Sequence, residues 1–260
     1  MGIPLYIIDA FTEKKFGGNP AAVCPLTDWL DDKTLQSIAA ENNLSETAFF
    51  VREENAFKLR WFTPKVEVSI CGHATLASAY VLFEHLKYDK SQIIFQTKSG
   101  PLMVKKDADR LLMDFPAYKP VSVNPPELLI QGLGSKPLQV LQSPETYLAV
   151  YKSEEDILSI VPDFSLIAKL DMSCVIVTAE GSQADFVSRF FAPQVGILED
   201  PVTGSAHCTL IPYWAEKLNK TSLYAIQLSK RRGELYCEFL NSRVSIGGRA
   251  VTYACGEIDV

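Results

Sequence analysis

Two stretches decide the fold: RWFTPKVEVSICGHATLASAYVL, residues 60–82, and RFFAPQVGILEDPVTGSAHCTLIPYW, residues 189–214. Both run Arg, aromatic, Phe, Thr or Ala, Pro, any residue, Val. After a short irregular link, Gly, a polar residue and Ala then open an apolar run. The distance from proline to that glycine is 8 residues in the first copy and 11 in the second, and Glu199, Asp200 and Pro201 are read as most of the insertion. So many features in one order mark an internal repeat. The runs that follow Gly72 and Gly204 are apolar nearly all round, the pattern of a helix buried on every side.

Working outward, short strand-like runs bounded by Gly, Pro, Asn and Asp surround both stretches, from PLYIIDAFT near the N-terminus to AVTYACGEIDV at the end. They predict antiparallel sheets joined by tight turns. The fold class is therefore α+β, with two pseudo-symmetric lobes, each a curled, mostly antiparallel sheet around one central helix. Four prolines in PAYKPVSVNPP, residues 116–126, break the pattern and place the boundary there. The expected organisation is an N-terminal lobe at 1–118, a C-terminal lobe at 119–248, and a strand at 249–260 returning to the N-terminal lobe. Further helices are expected in DDKTLQSIAAENN, PPELLIQGLG and SEEDILSIVPDFSLIAKL.

Composition narrows the function classes. Of 260 residues 47% are apolar and 22% charged, which describes a folded globular chain and not a disordered one. The net charge of −6 and the lack of a basic run argue against a nucleic-acid partner. No apolar stretch is long enough to span a membrane. MGIPLYIIDAFT lacks the basic opening of a signal peptide, and Tyr6 stands where a myristoylation motif wants Ser or Thr. Six cysteines without Cys-x-x-Cys spacing read as free thiols in a reducing compartment, hence a cytoplasmic protein. There is no phosphate loop, no nucleophile elbow and no His-Glu-x-x-His, and no spacing among the three histidines suggests a metal centre.

The chemistry is expected at the two helix openings. A helix N-terminus carries unpaired N–H groups and a partial positive charge, and glycine there lets a ligand approach the backbone. Set face to face by the repeat, two such openings would bind a carboxylate or a developing enolate. His73 follows Gly72 and Ser205 follows Gly204, so each offers a side-chain donor, and Glu199 and Asp200 precede the second opening. A single opening of this kind is more often a plain cap, and it is the repeat that points to a shared site. Glu46, in NNLSETAFFV, starts a strand flanked by Phe49 and Phe50. Desolvation there would raise its pKa toward the range useful for proton transfer, although periodicity alone favours an exposed strand-end glutamate.

At these residues the chain resembles the phenazine-biosynthesis (PhzF-like) family. The likeness runs through DAFTEKKFGGNPAAV, NNLSETAFF, both repeat copies and QLSKRRGELYCEF, nearly the whole chain. It implies a fold shared with diaminopimelate epimerase, two lobes with the active site in the cleft. It also implies an acid/base glutamate at Glu46, cleft residues at Gly72, His73, Asp200, Gly204 and Ser205, no cofactor, and a homodimer. Lys65, Ser69 and Arg232 depart from the family pattern, the first two near the first helix opening, where they bear on the substrate more than on the reaction class. The related epimerases use one thiol per lobe. Here Cys71 lies near the first opening, but none precedes Gly204, and Cys208 would have to point into the cleft, so a two-thiol racemase is disfavoured. The expected function is a cofactor-independent isomerase that shifts a proton within a small carboxylate-bearing metabolite through Glu46. Its rivals are an epimerase with Glu46 and Asp200 as two bases, and a non-catalytic binding or scaffold protein.

Overall fold

The computed structural model describes residues 2–260, so Met1 of the N-terminal reading lies outside the described residues. The chain divides into two units, one of residues up to Asp114 together with Gly247–Val260, the other Phe115–Ile246. In the first unit, β1 (Ile3–Ala10) lies between β2 (Asn19–Leu26) and β17 (Ala250–Ile258), antiparallel to both. Helix α1 (Asp32–Asn42) then carries the chain to β3 (Glu46–Arg52), which runs parallel to β2. Asp31 caps α1 by accepting from Thr34 N at 3.0 Å, and Asn43 ends it in the left-handed region, φ 48°. β3 turns back into β4 (Phe57–Phe62). After the short β5 (Glu67–Val68), α2 (Gly72–Tyr80) crosses to β6 (Gln92–Thr97), parallel to β4. The hairpin strands β7 (Gly100–Asp107) and β8 (Arg110–Pro116) follow.

The second unit repeats this order. After β9 (Val121–Ser122) and α3 (Glu127–Leu133), β10 (Gln139–Ser143) pairs antiparallel with β11 (Thr146–Val150). α4 (Glu154–Ser159) and α5 (Phe164–Ile167) cross to β12 (Cys174–Glu180), parallel to β11, and β12 turns back into β13 (Phe186–Phe191). Then α6 (His207–Leu218) crosses to β14 (Ser222–Gln227), parallel to β13. β15 (Gly233–Leu240) pairs with β14, and β16 (Arg243–Gly248) comes next. The pairing is thus mostly antiparallel. The parallel pairs β2–β3, β4–β6, β11–β12 and β13–β14, which the expectation of tight turns did not include, fall where a helix separates the strands, because a crossover returns the chain in its starting direction.

Side-chain geometry fixes the register of the repeat more closely than sequence does. Arg60 grips Glu67 with two hydrogen bonds of 2.8 and 2.9 Å and lies 5.0 Å from the Phe62 ring centroid. Arg189 grips Glu199 with bonds of 2.8 and 3.0 Å and lies 5.0 Å from Phe191. Glu199 is therefore the counterpart of Glu67, and each stands five residues before its glycine. The three extra residues are Gly196, Ile197 and Leu198, not Glu199 to Pro201. A second pair of bonds agrees with this register. Thr75 Oγ1 donates to the carbonyl of Cys71 at 2.6 Å, and His207 Nδ1 donates to that of Thr203 at 2.9 Å.

Both central helices are buried as expected. Every residue of α2 from His73 to Ala79 is buried, and the helix closes in a π-helical turn, Val81–His85. In α6, Trp214 stacks on Phe186 at 5.7 Å and donates Nε1–H to Thr178 Oγ1 at 3.0 Å. Pro212 sits inside α6 and has no N–H to offer Cys208 O; Tyr118 N–H takes that carbonyl at 2.8 Å.

Candidate active site

Glu46 is the first residue of β3, at the parallel junction with β2 where Ala21 is its partner. It is 7% exposed, and its Oε2 lies 3.1 Å from Nε2 of His73, itself 5% exposed and the second residue of α2. The two atoms are close enough for an ion pair but not aligned as a hydrogen bond. At the other ring nitrogen, Nδ1, stand Asn19 Nδ2 at 3.2 Å and Cys71 Sγ at 3.5 Å. Asn19 is the first residue of β2 and has no exposed surface. It is delivered by a tight turn in which Gly18 adopts φ 62°, and a Cβ on Gly18 would lie 2.1 Å from the Ala10 carbonyl oxygen. That turn has room only for glycine.

The electrostatics follow from these neighbours. Burial pushes the Cys71 thiol up to about 11, and the Glu46 charge adds to that, so the thiol stays protonated at neutral pH. Burial also works against a charged His73, but the acidic groups beside it, Cys71 and Glu46, outweigh it and hold the ring well above the usual imidazole value. Since Cys71 is a neutral thiol near pH 7, Glu46 is the counter-charge that matters there. Glu46, Cys71 and His73 place a carboxylate oxygen, a sulfur and a ring nitrogen within 4.8 Å of one another, the donor types that hold a soft divalent ion. Their closest contacts, however, run to opposite nitrogens of one imidazole. That is a line through the ring, as in a proton relay, where chelating donors converge on a point.

In the second unit Asp200 is 8% exposed. Its Oδ2 accepts from the Thr203 hydroxyl at 2.5 Å. Gln227, fully buried at the end of β14, donates Nε2–H to the Asp200 carbonyl at 2.8 Å and accepts Thr203 N–H on Oε1 at 2.8 Å. Gly204 and Ser205 lie in a tight lead-in turn, and regular α-helix begins only at His207. The bonds there run three residues back, His207 N to Gly204 O at 3.0 Å and Cys208 N to Ser205 O at 3.1 Å. Glu199, expected beside this opening, is committed to Arg189. Cys208 is a buried thiol pushed up to about 12 by burial.

The structure thus brings Glu46 and His73 together in one unit and places Asp200, Gly204 and Ser205 on consecutive turns of the other. Asn19, Thr203 and Gln227 were not singled out from sequence. Their partners lie 54 residues away for Asn19 and 24 for the Thr203–Gln227 pair, beyond any local spacing. The two glycines before Asn19 are the one local signal that could have marked it.

Comparison with known proteins identifies the family. Residues 8–256 match the family model described as phenazine biosynthesis-like protein. The chain is similar to an uncharacterized isomerase of Pseudomonas aeruginosa, 52% identical over 99% of both chains. It is also similar to an uncharacterized isomerase of Halalkalibacterium halodurans, 47% identical over 99% of both. A crystal structure of a PhzF-family phenazine biosynthesis protein from Enterococcus faecalis superimposes with a TM-score of 0.98 at 47% identity, covering all of each chain. The chain belongs to the phenazine biosynthesis-like (PhzF) family and is an isomerase.

Proposed function

We propose that the chain moves a proton between two carbons of a small carboxylate-bearing metabolite, with Glu46 as the group that carries it. Glu46 breaks a C–H bond next to an activating group and takes the proton. The electron pair delocalises into the substrate as an enolate-like anion, and Glu46 returns the proton at another carbon, so the double bond shifts and no net proton is gained or lost. The observation that carries this reading is the 3.1 Å approach of Glu46 Oε2 to His73 Nε2, both buried, at the start of a helix. The imidazole beside it steadies the carboxylate electrostatically, and the backbone N–H groups at the Gly72-His73 helix opening are assigned to stabilising the anion. Asp200 already accepts a short hydrogen bond from the Thr203 hydroxyl, and an acceptor so held is a poorer base, which disfavours it as a second base.

The test is solvent exchange. Incubated with a pool of small carboxylates in heavy water, the native chain should place deuterium on carbon in one compound and shift its double bond. Glu46→Gln keeps shape and polarity but cannot accept a proton, so exchange should fall at least ~10²-fold with the fold intact. Undiminished exchange by the folded variant would remove Glu46 from this role. Deuterium at a stereocentre with no bond shift would instead mark an epimerase.

A further inference from the structure

We infer that the second unit carries a separate binding site for a small apolar acid, a ring or short chain with one carboxylate, in the wedge between α6, β10 and the chain at Lys119-Pro120. None of Glu46, Gly72, His73, Asp200, Gly204 or Ser205 lines this wedge, so the site stands apart from the proposed proton transfer.

The wedge follows from how α6 meets the sheet. At Thr209 the helix is pinned to β10, where the Thr209 hydroxyl donates to Ser143 Oγ at 3.0 Å. About one turn further on, beyond that pin, a cavity of about 690 Å³ separates Pro212 and Tyr213 from Leu141 and Val150. The chain entering the unit closes a third side. Tyr118 N–H is held by the Cys208 carbonyl at 2.8 Å, and Lys119 and Pro120 follow directly into the cavity wall. The volume lies in the range of small-molecule sites.

The lining selects the ligand. Leu141 and Val150 are buried, and with Pro212 and the Tyr213 ring they make the walls apolar. Leu138 leaves 71% of its surface to water at the edge of the cavity, so an apolar ligand that covers it is favoured. Charge sets the polar end. Lys119 and Glu216 approach to 3.7 Å and largely offset each other, which leaves Lys217. Its Nζ lies 4.6 Å from the Trp214 ring centroid and 5.7 Å from that of Tyr213, and among the described residues no carboxylate pairs with it. The aromatic faces hold the ammonium in place, so an incoming carboxylate meets a positioned charge. A second acidic group would be left unmatched against apolar walls. Because α6 follows directly on the Gly204-Ser205 turn, an acid held against Tyr213 reaches that same helix from its other end.

Naphthoate is a suitable probe, with the uncharged carboxamide of the same ring as its control. Calorimetric titration of the native chain should show saturable binding of naphthoate, and the carboxamide should bind at least about tenfold more weakly. Lys217→Gln should weaken naphthoate by a similar factor. Leu138→Asp, which sets a carboxylate beside the apolar walls, should weaken it as well. Both side chains are exposed, and melting curves check that the variants stay folded; should Leu138→Asp disturb the fold, Lys217→Gln decides alone. Naphthoate taken up at the Gly72-His73 opening instead would bind both variants unchanged. Native-like affinity in either folded variant, or no binding by the native chain, overturns the inference. So does self-association of the native chain that Leu138→Asp abolishes without any naphthoate bound, since this face would then be a contact between copies of the chain.

Discussion

His207 and His73 are both buried at the start of a central helix, yet their surroundings drive them in opposite directions. His207 donates Nδ1–H to the Thr203 carbonyl at 2.9 Å and lies against Phe186, with ring centroids 5.8 Å apart. Among the described residues no carboxylate acts on it, and burial lowers its pKa to about 4. An unfolded histidine titrates near 6.5, so between pH 6.5 and 4 the unfolded chain binds a proton that the native chain does not. Stability must therefore rise with pH across that window and fall on acidification. The shift amounts to roughly 3 kcal/mol, almost all lost by pH 4. Denaturant unfolding of the native chain and of His207→Gln should show it: the variant's stability curve should be flatter between pH 6.5 and 4, whatever its absolute stability. Parallel curves would mean that the ring is charged in the native fold. The residue scale is also where sequence says least. Glu46 stands out in sequence as a carboxylate entering an apolar strand, yet periodicity alone favours an exposed strand-end glutamate, and it is the family likeness that implies its acid/base role. What makes it distinctive is a neighbour 27 residues away in sequence.

The elements were far more legible. Short alternating runs gave the long strands and the apolar-all-round runs gave both central helices, since periodicity records burial directly. The two-residue strands β5 and β9 carry too few residues for a period and escaped notice. The repeat was visible, but its gap was misplaced, because only the paired Arg–Glu grips tie Glu67 to Glu199. With the register corrected, Cys71 corresponds to Thr203. The strand pairs Thr47 with Phe62 and Val175 with Phe191 then place Cys174 at the position of Glu46. The helix openings thus occupy corresponding places in the repeat but differ in local geometry, with regular helix from Gly72 in one and only from His207 in the other, and in chemistry, with a thiol, an imidazole and a carboxylate in one and a hydroxyl and a carboxylate in the other. The hairpin behind the second opening is tightly fitted. A Cβ on Gly233 would lie 2.2 Å from Val202 Cγ2, and Val202 adjoins Thr203. Next to it, Arg232 occupies a left-handed position, φ 52°, which explains why glycine is usual there. Gly233→Ala should cost about 1–3 kcal/mol through overpacking and lower the melting temperature accordingly. Gly256→Ala, with nothing within 4 Å of its new methyl, is the control and should leave it nearly unchanged. Equal melting temperatures for the two variants would show that Val202 moves aside freely.

At the scale of the whole molecule, the chain leaves its first unit after Asp114 and re-enters it at Gly247. The last strand, β17, lies along β1 from Ile3–Ile258 to Ala10–Ala250, a ladder as long as β1 itself, interrupted by one irregularity at Ile7/Ile8. Through β1 it supports β2, which begins with Asn19 and lies beside Glu46 on β3. His85, at the end of the π turn after α2, adds a bond from Nε2 to Thr252 Oγ1 at 2.7 Å. The C-terminal residues therefore belong to the unit that carries Glu46 and His73, although most of the sequence between them builds the other unit. A chain truncated after Arg249 would leave β1 as an unpaired edge, with its N–H and C=O groups exposed to solvent or to another chain. Hydrogen exchange should locate the damage. Protection should be lost first in β1 and β2 and then at the start of α2, while β12 to β15, which have no pairing with β17, keep theirs. The truncated chain should also self-associate through the exposed edge, and a synthetic peptide of residues 250–260 added in excess should restore protection and lower that association. Uniform loss of protection across both units would mean that the two fold as one cooperative block and that β17 has no separate domain of action.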